Sequence, residues 1–210
     1  MNLVEARDWV EEAISPLEFA GQEINRRLNL ENDHISRELR VPTRLVRNID
    51  ATQPFGLPVG ARPGSVVRVW HDERGYRVPV LSVEEAHRKY PRWLDSNYAF
   101  AKFVVFEPYN LTAPLNPRGF FSDDRLRIMV VVKPADLVED GDVIFQGELP
   151  EFHELVPKKV ASDILIGHSD GVTNEAMLTS LIRRGGLLRD EVQESMKAAF
   201  ARAWYMQGMA

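Results

Sequence analysis

Gly167-His168-Ser169-Asp170-Gly171 sets an imidazole, a hydroxyl and a carboxylate side by side, the three groups of a nucleophilic triad. Adjacent side chains cannot line up as base, nucleophile and orienting acid, so a turn or helix start is the expected role. His153-Glu154 opens like the zinc-binding pattern H-E-x-x-H, but Pro157 stands where the second histidine belongs. His34, His71, His87, His153 and His168 are scattered, and no two have the spacing of metal ligands on one helix face. Asp123-Asp124, joined by His153, would be the starting point for a metal-dependent hydrolase. Paired aspartates ahead of a strand more simply form a solvated turn. Gly60-Ala61-Arg62-Pro63-Gly64 lacks the lysine and hydroxyl of a phosphate loop and reads as a turn. No residue is therefore singled out as catalytic, cofactor-binding or metal-binding, and a protein that is not an enzyme is expected.

Three other groups suit contacts with partners. Arg37, Arg40, Arg44 and Arg47 form a basic cluster across a predicted helix end and strand start. They either cap carbonyls and meet solvent, or face an acidic neighbour. Residues 134–156 carry seven acidic side chains and no Lys or Arg, with Asp136, Glu139, Asp140 and Asp142 in a predicted loop. That stretch of a second copy is the natural complement. At the C-terminus Phe200, Trp204 and Tyr205 fall outside the main apolar stripe of their helix, which leaves a second apolar face for a core or a partner. Met206 and Met209 belong to a final segment expected to extend as a tail.

The elements that must position these groups follow from periodicity. Leu3, Ala6, Val10, Ala13 and Ile14 recur at helical spacing. Ser15-Pro16-Leu17-Glu18 reads as a capping box that starts a second helix with Leu17, Ala20, Ile24 and Leu28 inward. A third short helix is expected around residues 31–39. From Thr43 the period falls to two. Val66 to Trp70 and Tyr76 to Leu81 form a hairpin around Asp72-Glu73-Arg74-Gly75. Ser82-Val83-Glu84-Glu85 caps a short helix that must stop before Pro91. Residues 100–106 and 126–132 are strand-like, separated by a long loop over 107–125. Three C-terminal helices are expected, over 152–166, 174–184 and 187–206, with Gly185-Gly186 stopping the second. The fold class is α+β: N- and C-terminal helices (1–42 and 150–210) forming a bundle beside a central antiparallel β domain (43–149).

Composition narrows the classes. A chain of 210 residues with 44% hydrophobic and 27% charged side chains has ordinary globular values. The absence of cysteine excludes disulfides, thiolate metal sites and a cysteine nucleophile. No apolar run reaches the roughly 18–20 residues of a membrane span, so a soluble protein without membrane association is expected. The net charge of −5 argues against general affinity for nucleic acid.

Taken in order, the segments of residues 50–166 resemble the head-to-tail connector (adaptor) proteins of tailed bacteriophages. The matching pieces are Phe55-Gly56-Leu57-Pro58 and the hairpin Val66-Val67-Arg68-Val69-Trp70 with Tyr76-Arg77-Val78-Pro79-Val80. Ser82-Val83-Glu84-Glu85 through Tyr90-Pro91-Arg92-Trp93 follows, then two strands ending in Pro108 and Pro134, and last Leu149-Pro150-Glu151-Phe152-His153-Glu154-Leu155. The loop over 107–125 is longer and the C-terminal helices more extensive than the pattern suggests. The resemblance implies a virion structural protein of the neck, made in the host cytoplasm. It implies a homo-oligomeric ring, of about twelve copies, that docks on the portal protein and on a tail or stopper protein and lets the genome pass in packaging and ejection. DNA would pass near the lumen without specific contacts, and no cofactor is implied. The alternative is another virion or tail component, or a non-catalytic binding module.

Overall fold

A computed structural model describes residues 1–50, 60–93, 103–105, 125–168 and 172–209. The fold is α+β, and the chain divides into two compact units: residues 1–42 with 134–210, and residues 43–133.

The first unit is helical. Helix α1 (Leu3–Ile14) starts at Asn2, whose side chain accepts the Glu5 N–H while the Glu5 carboxylate accepts the Asn2 N–H. It buries Leu3, Ala6, Val10 and Ile14, the expected stripe less Ala13. Ser15 ends this helix rather than capping the next. Leu17 donates its N–H back to the Ile14 carbonyl, and helix α2 (Gly21–Leu39) begins at Ala20 with no side-chain cap. The separate helix expected over 31–39 is part of α2, because Asn32 and Ser36 continue the buried stripe of Ile24, Leu28, Ile35 and Leu39. Leu17 is half-buried and Ala20 exposed, so neither belongs to that stripe.

The C-terminal part of this unit has two helices, α4 (Leu155–Gly167) and α5 (Glu175–Met209). Pro157 lies in the first turn of α4, where a missing N–H leaves no bond unmade. The break expected at Gly185-Gly186 does not occur, and α5 runs through both glycines for 35 residues. Gly185 is buried against α4. A β-carbon there would stand 2.8 Å from Ile166 Cγ1 and 3.2 Å from Leu165 Cβ, and the Ser162 hydroxyl donates to the Gly185 carbonyl at 2.9 Å. The glycine permits close approach of two helices instead of ending one. The helix also continues through residues 206–209, so these form a last helical turn and not an extended tail.

Residues 134–149 belong to the helical unit and not, as expected, to the β domain. The reason is burial: Leu137, Ile144, Phe145 and Leu149 join the core made by α1, α2, α4 and α5.

The second unit holds a four-stranded antiparallel sheet in the order β1-β4-β2-β3, formed by β1 (Thr43–Asp50), β2 (Ala61–His71), β3 (Arg77–Val78) and β4 (Arg125–Val132). The expected hairpin is present, with Val69 opposite Val78 and Gly75 at φ +68° donating its N–H to the His71 carbonyl. Gly60 turns at φ +85°, but β2 starts at Ala61, so the turn read over 60–64 is confined to its first residue. Pro63 and Gly64 fall in a register irregularity between Ala61 and Val66, where a strand tolerates them. One sheet face buries Ile49, Val69, Val78, Leu126, Ile128 and Val130. Helix α3 (Val83–Lys89) has the expected Ser82–Glu85 capping box and stops ahead of Pro91. Trp93 is 2% exposed beside Ala86, Phe103 and Val105, so it anchors the chain after the helix. Of the strand expected over 100–106, the described part is 103–105, where Val104 bridges Val80.

Candidate partner-binding surfaces

The acidic segment is shaped by α2. Asn29 and Asn32, nearly one turn apart, turn their side chains onto it. Asn29 Nδ2 donates to the Leu137 carbonyl at 2.9 Å, and its Oδ1 accepts the Leu137 N–H at 2.6 Å. Asn32, 1% exposed, accepts the buried Phe145 N–H at 3.1 Å. These bonds hold a backbone that would otherwise be unfavourable: Phe145, Gln146 and Leu149 have φ of 54°, 51° and 53°, which side-chain-bearing residues seldom adopt. The same segment caps α1, whose Leu3 and Val4 N–H groups donate to the Asp142 and Asp140 carbonyls. Sequence reasoning missed both asparagines. The available signal was a pair of amides inside an otherwise regular apolar stripe.

The four acidic candidates in this segment differ in role. Asp142 is a loop-closing residue: its carboxylate accepts the Val138 and Glu139 N–H groups at 2.7 and 2.8 Å. Those bonds hold its pKa below the usual carboxylate value. Asp136, Glu139 and Asp140 are exposed, and Asp140 lies 3.9 Å from Arg7. Beside them on α1, Asp8, Glu11 and Glu12 are exposed too. The result is a mostly acidic surface running from the loop along the helix.

The four arginines are not one patch on one unit. Arg37 and Arg40 close α2, Arg37 paired with Asp33 and Arg40 in the left-handed conformation at φ 56°. Arg44 and Arg47 are exposed on β1 in the other unit. A second basic group, which the sequence did not suggest, lies on the sheet face opposite the apolar one. Register puts Arg77 and Arg127 directly across from Trp70 on either side, and Arg68 two residues along β2 on the same face. The Arg127 guanidinium is 5.1 Å from the Trp70 ring centroid. Arg68 has its pKa lowered by burial and by the like charge of Arg77. The two units carry opposite charge. Residues 43–133 hold 14 Lys and Arg against 9 Asp and Glu, and the remaining residues hold 12 against 22.

On α5, Val192, Ala199 and Ala203 face the core while Phe200, Trp204 and Tyr205 are 56%, 62% and 56% exposed. Three large aromatic side chains within six residues thus stand in solvent. The side chains of Met206 and Met209 lie outside the described residues.

No protein-family model matches this chain. No curated protein matches it either.

The chemically suggestive residues have structural partners. His34 meets Glu38 at 3.4 Å, His71 accepts the Arg74 N–H at 3.1 Å inside the hairpin, and His87 packs on Trp93. His168 packs edge-on against Phe19. His153 is 5% exposed, with Nδ1 2.9 Å from the Met1 amino group and Nε2 3.0 Å from the Glu148 carbonyl. Its pKa is lowered, chiefly by burial, with the ammonium adding to the effect while Glu148 and Glu151 oppose it. Nε2 is therefore the donor and Nδ1 the acceptor. Among the described residues no three His, Cys, Asp or Glu side chains gather to hold a metal ion. Asp123, Asp124, Ser169 and Asp170 and the loop over 106–124 lie outside those residues. No helix among the described residues is long and apolar enough to cross a membrane.

Proposed function

We propose that this chain is a structural assembly protein: the head-to-tail adaptor of a tailed bacteriophage, a ring seated between the portal and the tail or stopper that leaves the genome a passage. The observation that carries the reading is the aromatic end of α5. Trp204 at 62% exposure, beside Phe200 and Tyr205, is the kind of side chain that dominates protein interfaces once a partner covers it. The order of sequence segments supports the same reading, since Ser82–Glu85 with Tyr90–Trp93 and then residues 149–155 follow one another as in the connector resemblance. A closed ring needs two different patches per copy, each meeting the other on its neighbour, and opposite charge on the two units supplies that kind of complementarity.

Imaging of assembled particles tests this directly: the protein belongs in the neck, as a ring between portal and tail. A chain shortened by residues 205–210 is expected to fold and to lose attachment to filled heads. Trp204→Ala should weaken attachment by roughly 2 kcal/mol or more, about thirtyfold. Particles carrying the protein elsewhere than the neck would point to a different virion component. Unchanged attachment of the shortened chain would remove the helix end from the contact.

A further inference from the structure

We infer that the arginine face of the sheet docks on the acidic surface of α1 and the 136–142 loop of a second copy; this rests on the ring reading above and names the contacting surfaces. The arginine face is a short row. Arg77, Trp70 and Arg127 stand side by side on three adjacent strands, with Met129 and Leu45 next along the same face. Trp70 is 7% exposed and forms the floor, Leu45 is 42% exposed, and Arg77 is exposed. Such a face is apolar below and cationic above.

The acidic surface has the matching period. On α1, Asp8 and Glu12 are one turn apart on the same side, with Glu11 beside them and Glu139 and Asp140 continuing past the N-terminus. Arg7 is the cation among them, within 4 Å of Asp8 and Asp140. A helix turn rises about 5.4 Å, and neighbouring strands are about 4.8 Å apart. Arg77 and Arg127 flank Trp70, two strands or about 9.6 Å apart. Two helix turns rise about 10.8 Å, so a helix laid across the strands brings the exposed carboxylates of Glu5 and Glu12, two turns apart, over the two arginines. The partner is a copy of this chain rather than a nucleic acid, because the complementary surface is part of the same polypeptide.

The absence of cysteine makes disulfide trapping clean. Full-length Arg77→Cys and Glu12→Cys variants, mixed and oxidised in low salt, should give a cross-linked heterodimer. A chain carrying both substitutions should give a ladder of multimers. Yield should fall roughly tenfold between about 0.05 M and about 0.5 M salt, as screening removes the attraction. The unmodified chain should show the same salt-sensitive self-association in sedimentation, which keeps the test valid if a cysteine variant misfolds. A monomer at every salt concentration, cross-linking only between like positions, or binding of duplex DNA that is abolished by Arg77→Glu in place of self-association would each overturn the inference. Neck rings without the Arg77–Glu12 cross-link would sink this contact and spare the adaptor reading. The cross-link in a protein that never joins particles would do the reverse.

Discussion

Gly185 and Gly186 offer the same substitution in two environments one residue apart. Both sit in the interior of α5, so replacement by alanine gains about 1 kcal/mol of helix propensity at each. At Gly186 the new methyl meets nothing within 4 Å, and Gly186→Ala should stabilise the protein by about 0.5–1 kcal/mol. At Gly185 the methyl would stand 2.8 Å from Ile166 Cγ1 and 3.2 Å from Leu165 Cβ. Leu165 Cβ is fixed to the α4 backbone, so the helices must separate. Overpacking of this kind costs about 1–3 kcal/mol, and the propensity gain offsets only part of it. Separation also stretches the Ser162–Gly185 hydrogen bond from 2.9 Å. Because propensity cancels between the two variants, their difference isolates the clash: Gly185→Ala should be less stable than Gly186→Ala by about 1–3 kcal/mol. Urea unfolding followed by circular dichroism at helix wavelengths reads this as a difference in midpoint. Equal midpoints, or a higher one for Gly185→Ala, would refute the close helix contact as the reason for the glycine.

Two further outcomes follow from buried groups. Asn32→Ala removes the acceptor for the buried Phe145 N–H and should lower stability by about 1–3 kcal/mol, with faster amide exchange at Phe145 than at the α4 core. For His153 the folded pKa lies below the ordinary 6.5, so between those two values the unfolded chain binds the proton and the folded one does not. Stability from the neutral ring is complete above pH 6.5 and is lost as pH falls from there toward the folded value. Thermal unfolding at pH 7.5 and pH 5 should show a smaller drop for His153→Leu than for the unmodified chain; an equal drop would remove His153 from the acid response.

Local signals told most where one residue has one job. Gly75 and the Ser82–Glu85 pair mark their turn and helix start through backbone chemistry that depends on immediate neighbours, and both are found as read. The failures come from residues whose role depends on something distant. Gly185-Gly186 looks like a helix stop, and only the presence of α4 against it makes it a packing site. Asn29 and Asn32 look like a polar interruption of α2, yet they are held by Leu137 and Phe145, more than a hundred residues later. Residues 134–149 read from sequence as part of the β domain, but their apolar members reach the helical core. Of the surface candidates, the aromatic helix end was legible from its departure from the stripe. The arginine row was not, because Arg68, Arg77 and Arg127 become neighbours only through strand register.

The unbroken course of α5 has a mechanical consequence. Gly185 and Trp204 are joined by a hydrogen-bonded rod about 28 Å long, at about 1.5 Å per residue. Val192, Ala199 and Ala203 seat that rod on the core along its length, so a pull on the aromatic tip is shared by the whole core-facing stripe and carried as far back as Gly185.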